Sequence, residues 1–565
     1  MRQTATEPPD AADRSRTPIN RRTRSDPDVY GYPTAMTAER PSPQYSAALP
    51  PARFNMAAYT IGRAAAAKPG ALALEVLDQP GASVPAERWT FGEIERAVLA
   101  ISAGLRARDL APGDRILIRL ENTSAYALTF FGAIAAGLVP LATSTHLTER
   151  EAAFLVTDSG ARAVALSDNL PHPGTGDAAR GSDARSLDVI RAEDIARMIR
   201  DGAVATAARS GYADTAADDP AYMVYTSGTT ANPKGVLHAQ RAAWGRRPMY
   251  AGWYGMTSSD RMLHAGAFNW TFTLGTGLTD PWANGATAIV YTGEKDASLW
   301  PRLISQSGAT LFAAVPSLYR QILKYAPAAA LANLGDLRHG LMAGETPPEN
   351  IFELWRSATS RDLHEALGMS EISTYVSTAP GIPRRPGSVG RPQPGRAVCI
   401  LPEDGGEKPL PAGEVGLLAV HRSDPGLMLG YWQRPQEEAA VVRGEWFIGG
   451  DLATMDEDGY VTHKGRANDV MKALGYRVAP QEIEAVLARH PGVAEVACAE
   501  HRVRADLAII AAYVVARDPG CPPSADALAT FAAAHLAPYK QPREIIFVDH
   551  LPRTANGKVM RRALR

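Results

Sequence analysis

Tyr222-Met223-Val224-Tyr225-Thr226-Ser227-Gly228-Thr229-Thr230-Ala231-Asn232-Pro233-Lys234-Gly235 joins an apolar strand pattern to a run of small hydroxyl and glycine residues closed by a lysine. Such a loop turns several backbone N–H groups and hydroxyls toward one anion, because glycine allows the backbone angles and small side chains let a phosphate approach. Lys234 adds a mobile positive charge. The spacing GxxxxGK[ST] is absent, since Gly235 stands where Ser or Thr would hold magnesium. An arbitrary Ser/Gly-rich turn would be a flexible surface loop; the strand that feeds this one favours an anion site.

Outward from this segment, strand patterns alternate with helical ones: Arg115–Ile118 as strand, Tyr126–Ala136 as helix, Arg162–Ala165 as strand. That order predicts an α/β fold with a mainly parallel, helix-covered sheet over residues 51–466. Near Arg466 the texture changes. Short strands (Tyr460–His463, Val493–Ala499, Ile509–Val515) alternate with helices (Pro480–His490, Ala525–His535), predicting a small α+β domain over residues 467–565. Residues 1–50 are rich in Pro, Arg, Ser and Thr and lack apolar periodicity, the composition of a disordered leader. A transit peptide would also be Arg-rich, but Glu7, Asp10, Asp13, Asp26, Asp28 and Glu39 supply acid that such peptides avoid. Met36 and Met56 are alternative starts.

The chain has 565 residues, and 59 Lys and Arg against 60 Asp and Glu give a formal net charge of -1. That balance removes the basic field of a dedicated nucleic-acid or acidic-membrane binder. Cys399, Cys498 and Cys521 form no CxxC or His-spaced set, so the expected setting is reducing and cytoplasmic, without disulfides or zinc. Ala125–Ala142 is apolar over a length close to a membrane span. Thr123 and Ser124 can start a helix, Gly137 can end it, and Leu138-Val139-Pro140 then begins a strand, so no span is expected.

The phosphate-loop string resembles the adenylate-forming superfamily, which includes acyl-CoA synthetases, adenylation domains of peptide synthetases and firefly-type luciferases. Further segments follow in the family's order: Ala343-Gly344-Glu345, Gly368-Met369-Ser370-Glu371, Gly450-Asp451, Gly465-Arg466 and Pro552-Arg553-Thr554-Ala555-Asn556-Gly557-Lys558. The resemblance implies ATP-dependent activation of a carboxylic acid to an acyl-adenylate, then thioester formation with coenzyme A, in the presence of Mg²⁺. It assigns the phosphates to Thr226, Ser227, Gly228, Thr229, Thr230 and Lys234, and the nucleotide to Gly344, Glu345, Leu367, Gly368, Met369 and Ser370. Glu371, with Thr226, would hold the magnesium ion, as hard oxygen ligands suit a partly hydrated cation on a triphosphate. Asp451 would accept hydrogen bonds from the ribose, assisted by Arg466; the plainer reading of that pair is a surface ion pair, and of Glu371 a solvated acid. Lys558, which composition alone would put on a solvated basic tail, is assigned by the resemblance to bridging the acid's carboxylate and the phosphate oxygens. Asn468 stands at the hinge, from which the small domain would present either Lys558 or the Gly475-Tyr476-Arg477 loop.

Four departures from the family pattern stand out, three bearing on the substrate class and Asn468 on the hinge. Leu367 replaces an aromatic residue that stacks on adenine, as in members that activate benzoate-like acids. Asn468 replaces the more usual Asp or Lys. Asn269 stands near a position where His is common, beside Phe268 and Trp270. Gly368 occupies the place where acetate- and propionate-specific relatives carry a Trp that shortens the pocket. The acid pocket is therefore expected to be long, walled by Phe268, Asn269, Trp270, Gly344 and Gly368, and suited to an aromatic, alicyclic or medium-chain acid. The Pro552–Lys558 string also resembles the context in which bacterial acyl-CoA synthetases are silenced by lysine acetylation, implying an acetyltransferase and a deacetylase as partners. Oligomeric state is left open between monomer and homodimer. The alternatives are an enzyme loading a carrier-protein thiol, a short- or branched-chain fatty acid:CoA ligase, and a catalytically silent nucleotide sensor. No carrier domain follows Arg565, which favours coenzyme A as acceptor.

Overall fold

The computed structural model describes residues 48–81, 84–173, 187–204, 211–226, 233–467, 471–473, 476–478, 480–504, 507–553 and 559–564. They belong to one compact unit, Thr34–Arg565. Residues 1–47, most of the expected leader, lie outside them.

Two large sheets form the body. A seven-stranded sheet has the order Gly430–Tyr431, Lys234–Ala239, Pro220–Thr226, Val139–Ala142, Arg115–Arg119, Ala163–Leu166, Asp188–Ile190. Its last five strands run parallel. Val139–Ala142 and Ala163–Leu166 are buried along their whole length, as in a sheet covered on both faces. The second sheet has nine strands and includes Thr287–Tyr291, Leu311–Ala314, His339–Ala343, Asp362–Met369 and Ser373–Ser377. The apolar run divides as expected into helix Ser124–Ala135, a turn with Gly137 at φ +80°, and strand Val139–Ala142. Thr123 sits at the N-cap without a side-chain bond. No helix among the described residues is long and apolar enough to cross a membrane.

The expectation of a mainly parallel sheet fails over residues 398–466. Val398–Leu401, Gly416–His421, Val442–Arg443, Trp446–Met455 and Val461–Arg466 form an antiparallel sheet instead. Glycines at positive φ (Gly405, Gly406, Gly413, Gly444, Gly459) lie in the connections, where the chain turns back tightly with no helix to cross over. Beyond it, Val493–Arg504, Leu507–Ala516 and Glu544–Phe547 form a three-stranded sheet. With helices Pro480–Leu487 and Ala525–His535 it builds the small domain around its own core of Met471, Ile483, Cys498, Ile510 and Leu528.

Buried titratable groups give this fold a pH signature. Burial pushes His238 and His339 down to about 4, and His264 and His364 down to about 3. The unfolded chain binds these protons near pH 6.5 and the folded chain does not, so stability falls as pH drops below 6.5. Burial first, and Glu349 further, push Glu365 up to about 8 against the pull of Arg384. Its contribution is complete below pH 4.5 and disappears as pH rises through 8. Four groups oppose one up to pH 6.5, and above it only the carboxyl acts. Thermal melting in matched buffers should give the highest Tm near pH 6.5, falling on both sides; a flat profile from about pH 5 to 8 would contradict these assignments.

Candidate active site

Thr226 ends strand Pro220–Thr226 and pairs with Lys234, which opens the antiparallel strand Lys234–Ala239. The phosphate loop therefore closes this hairpin at the C-terminal end of parallel neighbours, where open α/β sheets take ligands. Ser227, Gly228, Thr229 and Thr230 lie outside the described residues. Lys234 forms an ion pair with Glu437, and its Nζ stands 5.2 Å from the Tyr431 ring centroid. Tyr431 pairs with Val236 across the sheet edge and donates its hydroxyl to Glu371 Oε1 at 2.7 Å. Burial, then the Glu371 charge, raise the Tyr431 pKa, so the phenol stays protonated and must be the donor. Loop lysine and expected magnesium carboxylate are thus joined through one ring. Neither Tyr431 nor Glu437 carries a local sequence signal; only strand pairing brings them here.

Strand Asp362–Met369 bulges between Leu367 and Gly368 against Ser373–Ser377. A bulge re-aims the side chains that follow it. Ser373, at φ +73°, completes the tight return, and the Glu371 carbonyl accepts from the Met428 N–H at 2.7 Å. Glu371 is half-buried and Tyr431 is the only described hydrogen-bond donor to its side chain, which leaves a hard oxygen ligand for a magnesium ion. No cluster of three metal-ligating side chains exists among the described residues; an ion held by one or two protein oxygens and phosphates needs none. Leu367 and Met369 pack on the main core, and a Cβ on Gly449 would collide with the Met369 thioether. Gly368 has a second reason to be glycine. A Cβ there would lie 2.6 Å from Thr374 Cα and collide with the Ser373 carbonyl, so a Trp would break the strand pair rather than simply shorten a pocket.

Asp451 and Arg466 face each other across adjacent strands, Nε to Oδ1 3.2 Å. Asp451 is 3% exposed while Arg466 is exposed, so the carboxylate is buried under a guanidinium that reaches the surface. His463 Nε2 lies 3.0 Å from the same oxygen, a partner the sequence did not flag. Gly450, at φ +79°, lies within strand Trp446–Met455 where its register against Gly416–His421 shifts just before Asp451, and Arg466 Nη1 donates to the Gly449 carbonyl. The fully buried Tyr375 hydroxyl has no hydrogen-bond partner among the described residues. Burial, then Asp451, with Arg466 opposing and Glu371 adding, raise its pKa well above the ordinary value. Asp451, Arg466 and Glu371 are therefore close enough to act on one buried ring.

The expected acid-pocket residues separate. Trp270 stands over Gly344: a Cβ on Gly344 would lie 3.6 Å from Trp270 Cη2, and Gly344 sits at φ +95°. Asn269 is half-buried beside it. Phe268 instead turns into the core, 1% exposed, with its ring 5.7 Å from that of Tyr126. Glu345 accepts from the backbone N–H and hydroxyl of Ser317 at 3.2 and 3.1 Å, at the start of helix Pro316–Tyr325. Behind the Trp270 segment runs a buried ion pair that sequence reading missed, because its members are 34 positions apart with no motif. Arg246 Nε and Nη2 donate to Asp280 Oδ1 and Oδ2 at 2.7 and 2.6 Å, and a Cβ on Gly275 would collide with the guanidinium. Burial disfavours the Arg246 charge, but Asp280 outweighs it and holds the pKa above its ordinary value. Arg246→Met leaves the buried Asp280 charge with no cation and only the Tyr254 hydroxyl, at 2.7 Å, and should cost about 3–5 kcal/mol in denaturant unfolding; a loss below 1 kcal/mol would mean the pair is not desolvated.

Asn468, Gly475 and Lys558 lie outside the described residues. Tyr476 and Arg477 begin strand Tyr476–Val478, paired with Met471–Ala473.

The profile of the AMP-binding enzyme family matches residues 61–432, and that of the AMP-binding enzyme C-terminal domain matches residues 482–558. A 3-hydroxybenzoate–CoA ligase of Aromatoleum sp. (strain CIB) is 30% identical over 87% of this chain and 94% of that enzyme. A benzoate–CoA ligase of Thauera aromatica is 31% identical over 91% and 96%. Among solved structures, a benzoate CoA ligase from Burkholderia xenovorans LB400 superposes with a TM-score of 0.77 at 30% identity, covering 91% of this chain and all of that one. The anthranilate CoA ligase AuaEII, solved with anthranoyl-AMP, gives 0.79 at 26% identity, covering 91% and 97%. Fold and relatives agree, and the chain belongs to the AMP-binding enzyme family, as an AMP-forming carboxylic acid:CoA ligase.

Proposed function

We propose that the acid this ligase activates is aromatic. The observation that carries this is Trp270 beside Gly344, where the edge of a rigid indole lies 3.6 Å from the place of the missing Cβ and gives the expected acid pocket a flat apolar wall. A ring packs on such a wall without ordering the rotors of a flexible chain. Relatives named for benzoate, 3-hydroxybenzoate and anthranilate support the reading. Joining carboxylate to the α-phosphate brings two anions together, so positioning and charge neutralisation must supply most of the rate. In this reading Thr226, residues 227–230 and Lys234 hold the phosphates, and Glu371 with Thr226 holds Mg²⁺, which when bound offsets phosphate charge. Asp451 and Arg466 fix the ribose, Leu367 supports the adenine, and Lys558 orients the carboxylate for attack. Coenzyme A then enters past Gly475-Tyr476-Arg477, its sulfur attacks the acyl carbon, and AMP leaves. The domain boundary falls at Arg466–Asn468. Acetylation of Lys558 would remove the charge the first step needs. The enzyme works in the cytoplasm as a monomer or homodimer. Pyrophosphate release with ATP, coenzyme A and a panel of acids tests the substrate class: benzoates should exceed acetate and hexanoate in kcat/KM, and a preference for either aliphatic acid would overturn it.

A further inference from the structure

A small cavity of about 20 Å³, room for one water-sized group, lies beside the Trp270 segment and is lined by Tyr222, His238, Arg246, Thr271, Ser370 and Ser373. Its polar groups are of two opposite kinds. His238, 2% exposed and stacked on Tyr222 at 4.6 Å, has its Nε2 at 2.8 Å from the Ser370 carbonyl. A carbonyl only accepts, so Nε2 carries the proton and Nδ1 of the neutral ring is an acceptor. That Nδ1 is buried and has no hydrogen-bond partner among the described residues. Arg246 supplies the complement. Asp280 takes Nε–H and one Nη2–H, Tyr254 the other, and Ser373 one Nη1–H. That accounts for four of its five N–H groups, and the fifth remains on Nη1 as a donor.

We propose that this cavity is a hydroxyl-recognition subsite, in which a ring hydroxyl of the acid donates to His238 Nδ1 and accepts from Arg246 Nη1. The inference rests on the aromatic-acid reading and narrows it to hydroxylated aromatic acids. Asp280 already balances the guanidinium charge, so a second carboxylate on the substrate is not called for. The size of the cavity also excludes one. A methoxy group lacks the proton for His238, and so does fluorine. A substrate without the hydroxyl must leave His238 Nδ1 unpaired or leave an immobilised water in its place, and both disfavour it.

The test compares kcat/KM of the full chain for benzoate, its 2-, 3- and 4-hydroxy, methoxy and fluoro analogues, the benzenedicarboxylates and hexanoate. One hydroxybenzoate should exceed benzoate and its own methoxy and fluoro counterparts by about 10- to 100-fold. His238→Phe should bring the hydroxybenzoate-to-benzoate ratio close to unity, and His238→Gln, whose amide oxygen can accept, should restore part of it. Both variants are read as a ratio, so a general loss of folded enzyme cancels. Equal use of benzoate and every hydroxybenzoate overturns the subsite but leaves the aromatic reading standing. So does a wild-type preference that His238→Phe does not alter. A best substrate among the dicarboxylates would mean that Arg246 acts as an anion receptor instead. Turnover of hexanoate alone would overturn the aromatic reading itself.

Discussion

Replacing Lys558 by alanine is expected to lower acyl-adenylate formation by about 10²–10³-fold while leaving thioester formation from supplied acyl-adenylate largely intact. The lysine follows Gly557 near the C-terminus, in the segment matched by the C-terminal family profile. That small domain is built on its own core, so it has the independence a rearrangement needs. If one arrangement brings Lys558 to the carboxylate and the α-phosphate, and the other presents Gly475-Tyr476-Arg477 to coenzyme A, the charge matters in the first half-reaction alone. Single-turnover assays started from acid plus ATP, and separately from acyl-adenylate plus coenzyme A, divide the two. An equal loss in both would contradict the two-arrangement reading.

Glu371→Gln should cost a similar factor, about 10²–10³, in the adenylation step, with the apparent requirement for Mg²⁺ moved to higher concentration. The substitution is mild for the fold: a Gln oxygen still accepts from the Tyr431 hydroxyl, and the backbone bond from Met428 does not involve the side chain. What is lost is the charge, and with it the ligand that a hard cation prefers. Titrating activity against Mg²⁺ at saturating ATP separates this from a folding defect, since a misfolded fraction lowers the plateau without moving the midpoint. An unshifted midpoint would place the ion on other ligands.

Legibility in the sequence followed the range of the interactions. The strand that ends at Thr226, the split of the apolar run and the Asp451–Arg466 pair were readable because each is set by nearby residues or by adjacent strands, whereas the return strand Lys234–Ala239 was not foreseen. The capping boxes Thr90–Glu93 and Thr148–Glu151 show the same local determination. The antiparallel sheet at 398–466 was not foreseen, because short buried strands look alike whether their partners are parallel or antiparallel. Tyr431, Glu437, His463, His238 and the Arg246–Asp280 pair were missed for a related cause. Each acts through a contact made by folding and not by spacing, as where Gly430–Tyr431 docks on Lys234–Ala239 and carries a phenol to Glu371. Phe268 was misplaced because an aromatic residue next to a pocket wall packs inward as readily as outward; here Tyr126 offered it a partner in the core. Gly368 shows that one glycine can serve two ends, an open pocket and the close approach of the Ser373–Ser377 strand.

The most direct measurement follows oxygen from the acid. With benzoate or a hydroxybenzoate labelled with ¹⁸O in both carboxylate positions, attack on the α-phosphate leaves one labelled oxygen bridging carbon and phosphorus. Thiol attack at the carbonyl carbon then releases it with AMP. Mass spectrometry should find one ¹⁸O in the AMP, one in the acyl-CoA and none in the pyrophosphate. Label in inorganic phosphate together with ADP, or unlabelled AMP beside the acyl-CoA product, would contradict an acyl-adenylate path.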